Sequence, residues 1–597
     1  MPKHRGAKKS AQPTQEFGFK TNSVRRRGKS SERGPAAAPL DRFSRAVPFG
    51  RGRVDSWGPI VILVAAIAAT TALHVRLLQM PLERDEGEYA LAGQLILDGY
   101  APYQRLYNMK WPGTYYCYAA FEAVFGRSIA GVRTGVLLVN VAAIVLIFLI
   151  GRRLYDSMAA AGAAVAYAVL SFSPTTLGFA GHATHFVVLA ALLAVLCLQR
   201  AVERQTLWRY FLAGVFAGLS PIMKQPGIAF TAFILADWIG HEFRRTDGGA
   251  AARTKRGAAL LAGIAAPIVL MLASLWVTAT EDNFWQWTIL YARYYGVHPV
   301  PAALPQAAFA AWCDAASSTL LLWMVGGIGL VTLVIFRRSR PAVAFLPGLL
   351  FFSLLGIFPG FVFRSHYFIV LLPAVALFVG EALYDVRQFF AARSAAIGVI
   401  SMLVLVATPV GVALWQERSF YFGMSPNQVI ATEYPNNPFL ECVRVGNYIR
   451  AHTQSSDSIA VIGSEPEIYF YARRLPATGH VYVYSMMEDQ PYAHAFQEQM
   501  INEIEQARPK YVVFVKMANS WLWRPNSDMT LLEWFPSYAA RTLTIAGIVE
   551  TASDGEIRYR WDEPHMEAND QSLIVVFENK SRPMASTPNS HPTSPRS

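Results

Sequence analysis

The run Trp57-Gly-Pro-Ile-Val-Ile-Leu-Val-Ala-Ala-Ile-Ala-Ala-Thr-Thr-Ala-Leu-His-Val-Arg-Leu-Leu78 leads almost directly into Leu82-Glu-Arg-Asp-Glu-Gly-Glu-Tyr89. As a helix rising about 1.5 Å per residue, the first run spans a hydrocarbon core ~30 Å thick. The second places five ionisable residues in the six positions from Glu83 to Glu88, at the point where the chain leaves that core. Further on, Asn108-Met-Lys-Trp-Pro-Gly-Thr-Tyr-Tyr116 answers it with a lysine, a breaker and two tyrosines. A lone charge at a membrane boundary can be punctuation. A cluster of this density, followed by an amphipathic helix and Lys110-Trp-Pro, reads as a built site.

The rest of the 597 residues repeats the first pattern. Hydrophobic residues make up 53% and charged residues 16%, and the apolar residues come mostly in blocks of roughly 18–22, long enough for a transmembrane helix, with the fourth to sixth of the spans below shorter. The fold class is a polytopic α-helical membrane protein with about eleven spans. They are drawn near Trp57–Leu78, Gly131–Ile150, Met158–Leu177, His185–Leu198, Tyr210–Ile222, Gly227–Ile239, Gly257–Ala279, Ser318–Phe336, Pro341–Phe358, Tyr367–Leu383 and Ala395–Trp415. The net charge of +12 does not indicate nucleic acid, because Lys and Arg are spread over the first 53 residues and the gaps between apolar blocks. Cys117, Cys197, Cys313 and Cys442 form no CxxC or metal spacing, and no disulfide framework is expected.

Charge also orients the chain. With the N-terminus in the cytoplasm, the cytoplasmic loops carry Arg152/Arg153, Arg200/Arg204/Arg209, Arg244/Arg245/Arg253/Lys255/Arg256, Arg337/Arg338/Arg340 and Arg387/Arg393. The outer segments keep a thinner scatter, so the positive-inside rule is met. Residues 1–53 read as a disordered basic cytoplasmic tail and 54–415 as the membrane domain, whose first outer loop, 79–129, carries the acidic motif. Beyond Trp415, helical stretches alternate with strand-like runs at Ser458–Gly463, His480–Tyr484, Lys510–Val515 and Ser572–Phe577. That alternation predicts an extracytoplasmic α/β domain over 416–580, with a mainly parallel sheet. The Ser/Pro/Thr-rich 581–597 reads as a disordered tail.

Within the acidic stretch, Asp85 and Glu88 stand at N-cap and N3 spacing for a helix over about Glu86–Leu97, a capping box that leaves Glu86 without a capping duty. Lys110 also fits a snorkelling interfacial lysine anchored by Trp111. Lys224, between two spans beside Pro226-Gly227, fits that account less well, since irregular backbone at membrane depth is tolerated where it lines a cavity. Arg364-Ser-His-Tyr367 places basic groups at the mouth of the tenth span, where ionisable residues are costly. One outer face therefore offers carboxylates (Asp85, Glu86, Glu88), cations (Lys110, Lys224, Arg364 and His366) and tyrosines. Carboxylates can take a proton from a hydroxyl, and cations can stabilise a phosphate leaving group. His182 and His185 stand at i and i+3, but with no third ligand nearby in sequence they are not read as a metal site.

These motifs, in this order, resemble those of the GT-C superfamily of membrane glycosyltransferases that use polyprenyl- or dolichyl-phosphate sugars. The chain looks most like the bacterial branch with protein O-mannosyltransferases and lipid A aminoarabinose transferases. The resemblance covers roughly Trp57 to Trp415. Arg84-Asp-Glu-Gly-Glu-Tyr89 falls where that family has its first-loop acidic motif, and Lys110-Trp-Pro-Gly-Thr-Tyr-Tyr116 resembles its Lys-Pro-Pro stretch. Met223-Lys-Gln-Pro-Gly227 resembles its Thr-Lys-Gly-type break, and Arg364-Ser-His-Tyr-Phe-Ile-Val-Leu-Leu-Pro373 its late Arg-Tyr-x-Leu-Pro segment.

The resemblance implies Asp85 as general base, with Glu86 and Glu88 supporting it or orienting the sugar. It implies Lys110, Lys224 and Arg364 at the donor phosphate, His366 and Tyr367 lining that site, and Tyr89, Tyr115 and Tyr116 counted with the substrate-binding face. The chain departs from the pattern at Trp111, where relatives have proline, and at Thr184-His185, where many have an acidic residue. The expected partners are a polyprenyl-phosphate sugar, an acceptor that is a lipid, glycan or protein, and membrane lipids, with no nucleic acid. No cofactor is indicated, and a divalent metal is left open. The expected location is the inner (cytoplasmic) membrane. A transporter or flippase of a lipid-linked sugar is the alternative; it calls for inverted repeats, and the sequence offers no convincing internal repeat.

Overall fold

The structure, a computed structural model, describes residues 57–245, 249–296, 301–335 and 342–580. The basic tail 1–53, the end from 581 and the Arg337/Arg338/Arg340 cluster lie outside the described residues. Each apolar block read from the sequence falls on a helix. Among the described residues, seven helices are long and apolar enough to cross a membrane: Gly58–Arg76, Ile129–Leu154, Ala183–Arg204, Ala250–Val277, Leu304–Ile335, Ser365–Ala391 and Ala395–Gln416. Ser157–Leu170, Leu207–Met223 and Ala342–Leu355 are shorter apolar helices, and the sixth expected span lies in Ile228–Arg244. The protein is a polytopic helical membrane protein with a C-terminal unit built on a sheet.

Burial is graded across the bundle. Ser365–Ala391 is enclosed on nearly all sides, whereas Gly58–Arg76 and Ala250–Val277 leave most of their apolar surface open. Val61, Val64, Leu270, Trp276 and Val277 are exposed, which is stable only where the surrounding medium is itself apolar. The centre is made of small residues. The Ala-rich helix Ser157–Leu170 is buried over most of its length. Gly214 and Gly263 bring Leu207–Met223 and Ala250–Val277 so close that a Cβ at either would run into backbone of the other helix. Close backbone approach through small residues supplies van der Waals packing where lipid gives no hydrophobic drive between helices.

The C-terminal unit carries β1 (Ser458–Ile462), β2 (Leu475–Pro476), β3 (Tyr511–Val515), β4 (Leu543–Thr551), β5 (Ile557–Trp561) and β6 (Ser572–Asn579), in spatial order β2-β1-β3-β6-β4-β5. β1 runs parallel to β2 and β3, with Val461 opposite Val513. β3/β6, β6/β4 and β4/β5 are antiparallel, so the sheet is mixed rather than mainly parallel. The reason lies in the connections: a short turn joins β4 to β5, and such a link permits only antiparallel pairing, whereas parallel pairing needs a long crossover. His480–Tyr484 is not a strand. Its alternation is real, with Val481 and Val483 buried and Tyr482 and Tyr484 half-buried, but both tyrosines face a cavity, so no neighbouring strand pairs with it. All four cysteines are free.

The sheet unit docks on the loop after the first span. Tyr89, Leu91, Ile468, Tyr469 and Val513 belong to one buried cluster. At the seam, a Cβ on Gly87 would lie 2.6 Å from Glu467 Cβ and 2.9 Å from Glu467 Cα, so only glycine permits this approach. Gly87→Ala is expected to lower the thermal midpoint of the detergent-purified protein by several degrees, in line with the ~1–3 kcal/mol cost of overpacking. Gly240→Ala, which has no atom within 4 Å of its Cβ, should leave the midpoint unchanged. Equal midpoints for both variants would contradict this seam.

Candidate active site

The helix Arg84–Leu97 begins at Glu83, whose carboxylate accepts from Glu86 N at 2.9 Å and Asp85 N at 3.0 Å. Glu83 N in turn donates to Glu86 Oε2 at 3.3 Å, completing a capping box. The cap is therefore two residues earlier than the Asp85/Glu88 pair expected from spacing, and Glu86 does have a capping duty. Both pairs are three apart, and glutamate is not a preferred N-cap residue, so spacing alone selected the wrong one. The shift frees Asp85 and Glu88 for other contacts.

Glu86 is fully buried and receives Arg133 through two parallel bonds, Nη1 to Oε1 and Nη2 to Oε2, each 2.7 Å. Gly181 N also donates to Oε1 at 2.6 Å. Arg133 further donates to the carbonyls of Met80 and Pro81. Glu86 thus anchors the first loop to the helix Ile129–Leu154 and to the turn before Ala183–Arg204, and it does not line the cavity. Arg133 was missed in the sequence reading, although an arginine in the first turn of an apolar span was the signal available.

Asp85, the residue before the anchor, is 26% exposed. Lys110 Nζ lies 2.8 Å from Asp85 Oδ1 and 2.5 Å from Glu88 Oε2. Its ammonium sits over the rings of Tyr89 at 4.6 Å and Tyr482 at 5.4 Å. Tyr115 OH donates to Glu88 Oε1 at 2.6 Å. Burial alone would raise the Asp85 carboxyl, but the Lys110 ammonium holds it well below the usual carboxylate range. Lys110 shows the converse: burial disfavours its charge, and Asp85 and Glu88 carry it well above an ordinary lysine. Tyr482 OH donates to Asp85 Oδ1 at 3.2 Å. Burial first, and then the carboxylates of Asp85 and Glu88, keep that phenol protonated far above its ordinary range.

A cavity of about 560 Å³ opens beside this cluster. Asp85 and Lys110 line it from the first loop, His182 from the turn before Ala183–Arg204, and Lys224 from the break after Leu207–Met223. Arg364, His366 and Tyr367 enter at the start of Ser365–Ala391, and Tyr482 and Tyr484 from the C-terminal unit. Thr114 Oγ1 donates to Met223 O at 2.9 Å, which holds the Lys110 loop against the Lys224 break. Lys224 Nζ lies 4.2 Å from the Tyr367 ring centroid, and burial lowers its ammonium to about 8, with Asp85 opposing. Arg364 is exposed at the rim, on a loop with left-handed backbone at Gly360, Phe361 and Phe363. Among the described residues, neither Lys224 nor Arg364 has an ion-pair partner. The His182 and His366 rings stack at 4.1 Å.

The structure thus brings Asp85, Lys110, Lys224, Arg364, His366 and Tyr367 to one cavity. Glu88, Tyr89 and Tyr115 stand behind it, supporting Lys110. Tyr116 does not join them: it is 43% exposed and turned away from the cavity, because its neighbour Tyr115 takes the inward side of the same helix. Asp85, His182 and His366 present ligand atoms within 4.8 Å of one another. With a single carboxylate that already carries an ammonium partner, and a second ammonium on the same cavity, this trio fits a divalent cation poorly. His185, three residues after His182, does not line the cavity.

Residues 110–246 match the family model described as dolichyl-phosphate-mannose-protein mannosyltransferase. That stretch contains Lys110, His182 and Lys224 and leaves Asp85 and Arg364 outside it. No curated protein matches the chain. Among solved structures, it is similar to the oligosaccharyltransferase AglB from Archaeoglobus fulgidus in complex with an inhibitory peptide and a dolichol-phosphate, at 14% identity over 87% of this chain and 75% of that chain, with a TM-score of 0.49. It is also similar to ArnT from Cupriavidus metallidurans. The apo form matches at 13% identity over 87% of this chain and 98% of that chain, TM-score 0.48. The form bound to undecaprenyl phosphate matches at 14%, with the same coverage and a TM-score of 0.49.

Removing Arg133 would strand a buried carboxylate, and breaking a buried pair from one side costs ~3–5 kcal/mol. Arg133→Leu is therefore expected to abolish a monodisperse peak in size-exclusion chromatography, and Arg133→Leu with Glu86→Gln to recover much of it. A monodisperse Arg133→Leu protein with an unchanged thermal midpoint would contradict the anchoring role.

Proposed function

We propose that this protein is an integral membrane glycosyltransferase that moves a sugar from a polyprenyl-phosphate-linked donor to an acceptor hydroxyl on the outer face of the cytoplasmic membrane. In this reading the N-terminus is cytoplasmic, residues 54–415 form the membrane domain and 416–580 the extracytoplasmic unit. The carrying observation is that one cavity holds a carboxylate with an open oxygen, Asp85, and two cations, Lys224 and Arg364, that have no ion-pair partner among the described residues. The match of residues 110–246 to a family named for a dolichyl-phosphate sugar donor supports the same reading.

The chemistry is a single displacement. The acceptor oxygen bonds to the anomeric carbon, the bond from that carbon to the phosphate oxygen breaks, and the acceptor's proton passes to Asp85. Negative charge grows on the departing lipid phosphate, where Lys224 and Arg364 stabilise it. Lys110 is assigned a different task from the one its motif implied: with two carboxylates at 2.8 and 2.5 Å it has little charge to spare for a phosphate, and it orients Asp85 and Glu88 instead. His366 and Tyr367 line the same cavity, with the Tyr367 ring against the Lys224 ammonium. Sugar, polyprenol and acceptor class are set by pocket shape rather than by the fold.

The test is transfer of label from a panel of radiolabelled polyprenyl-phosphate sugars in membranes carrying the protein. Wild type transfers label, and Asp85→Asn lowers turnover by about 10²–10⁴-fold, the range of positioned general-base catalysis. Lys224→Ala lowers it by ~10²-fold, as for loss of one preorganised donor to a developing oxyanion. Near-normal turnover of Asp85→Asn in a folded protein would remove Asp85 as the base. Protein-dependent movement of labelled lipid between leaflets without transfer would favour a flippase. The Lys224 ammonium adds a pH signature. It is charged below about 8 in the free protein and loses that charge as pH rises, so kcat/KM for the donor should fall above about pH 8. In Lys224→Arg that fall should move to higher pH; a profile unchanged by Lys224→Arg would dissociate Lys224 from donor binding.

A further inference from the structure

We propose that Tyr482, contributed by the C-terminal unit, is a positioning residue of the reaction centre, whose hydroxyl fixes Asp85 Oδ1 so that Oδ2 faces the acceptor. This inference rests on the glycosyl-transfer reading above.

The two oxygens of Asp85 are not equivalent. Oδ1 takes both Lys110 Nζ at 2.8 Å and Tyr482 OH at 3.2 Å. Oδ2 accepts no hydrogen bond from any of the described residues, and His182 Nδ1 stands 4.0 Å from it, beyond hydrogen-bond range. A carboxylate turns easily about its last torsion, and a lysine is a compact charge on a flexible stem. Lys110 alone would hold Asp85 loosely. A second donor on a rigid ring defines the plane of the carboxylate, and the Lys110 ammonium lies within 5.4 Å of that same ring as well as 4.6 Å from the Tyr89 ring. When the acceptor hydroxyl attacks, its proton goes to Oδ2, because Oδ1 already carries two donors. Tyr482 keeps its own proton throughout, and the phosphate leaves with the electron pair of the broken bond.

Tyr482 is itself held firmly. Val481 and Val483 on either side are fully buried, and Val483 N donates to Ser464 Oγ at 3.1 Å. The carbonyl of the same Ser464 accepts from Arg84 Nε. Arg84 also reaches Glu465 at 2.9 Å and Asn437 at 3.1 Å, between the rings of Phe439 and Tyr484. Residues 84–85 and 482–483 are thus tied to one serine, and the contact between Asp85 and Tyr482 is the product of a frame. The C-terminal unit on this account is part of the reaction centre.

The experiment compares Tyr482→Phe, which keeps the ring and loses the hydroxyl, in wild-type and Asp85→Asn backgrounds. Donor-saturated and half-saturating rates are measured with the radiolabelled polyprenyl-phosphate sugar that wild type uses. Tyr482→Phe is expected to lower kcat about 10-fold, as for one hydrogen bond to a charged group. The donor KM should stay within about twofold and the thermal midpoint should not move. In the Asp85→Asn background the same change should have almost no further effect, since two residues acting through one interaction are not additive. Tyr482→Ala, which also uncovers Lys110, should fall further. A wild-type kcat in Tyr482→Phe, or the same fold-loss in both backgrounds, overturns the proposal while leaving the glycosyltransferase reading standing. Absence of transfer by wild type from every donor overturns both.

Discussion

A buried carboxylate cannot stay charged in an apolar surrounding without a partner of matching geometry, and Glu86 has one in the paired nitrogens of Arg133. That ion pair fixes where the first loop lies. Because Glu86 is also the N3 residue of the capping box, the bond that locks the loop to the helix Ile129–Leu154 also locks the start of the helix Arg84–Leu97. Once that start is fixed, the helical repeat decides the rest. Asp85 is delivered to the cavity edge, Glu88 faces Lys110 and Tyr115, and Gly87 faces Glu467 of the C-terminal unit. One pair thereby sets the positions of three functional neighbours.

The cavity is built from helix ends. Lys224 follows one helix, and His182 and Arg364 each precede another, so the membrane helices bring ionisable groups together without burying them in lipid. Charge is divided within that space. Lys110 is satisfied by two carboxylates, while Lys224 and Arg364 have no ion-pair partner among the described residues and in the proposed reaction would meet the donor phosphate. A phosphate and a nucleophile can then share one small space without neutralising each other's partners. The C-terminal unit closes the remaining side through the Arg84 clamp and the pair of tyrosines at 482 and 484.

Much of this was legible in the sequence. The spans could be read because lipid demands about twenty apolar residues in a row, and every one falls on a helix. Asp85, Lys110, Lys224, Arg364 and His366 could be read because ionisable groups beside such runs are expensive, and Tyr367 was added by the family resemblance. The cap was misread because Glu83/Glu86 and Asp85/Glu88 have the same spacing, and only the tertiary partner Arg133 distinguishes them. Tyr116 was grouped with Tyr115 by adjacency, although neighbours on a helix point about 100° apart. Tyr482 could not be found at all: its contact with Asp85 joins residues separated by 397 positions. The sheet was read as parallel because β4 and β5, the hairpin that turns its far side antiparallel, were not recognised as strands. His480–Tyr484 alternated as a strand does, but the alternation divides core from cavity.

The central claim is that one cavity holds both the phosphate cations and the carboxylate that receives the acceptor's proton. The most direct measurement is a cryo-EM structure of the full chain in nanodiscs with a polyprenyl phosphate bound. The account predicts the phosphate within hydrogen-bond reach of Lys224 and Arg364, on the Asp85 side of Tyr367, with the lipid tail leaving toward the membrane helices and Lys110 still on Asp85 and Glu88. A phosphate bound elsewhere on the protein, or one that draws Lys110 away from both carboxylates while leaving Lys224 untouched, would contradict it.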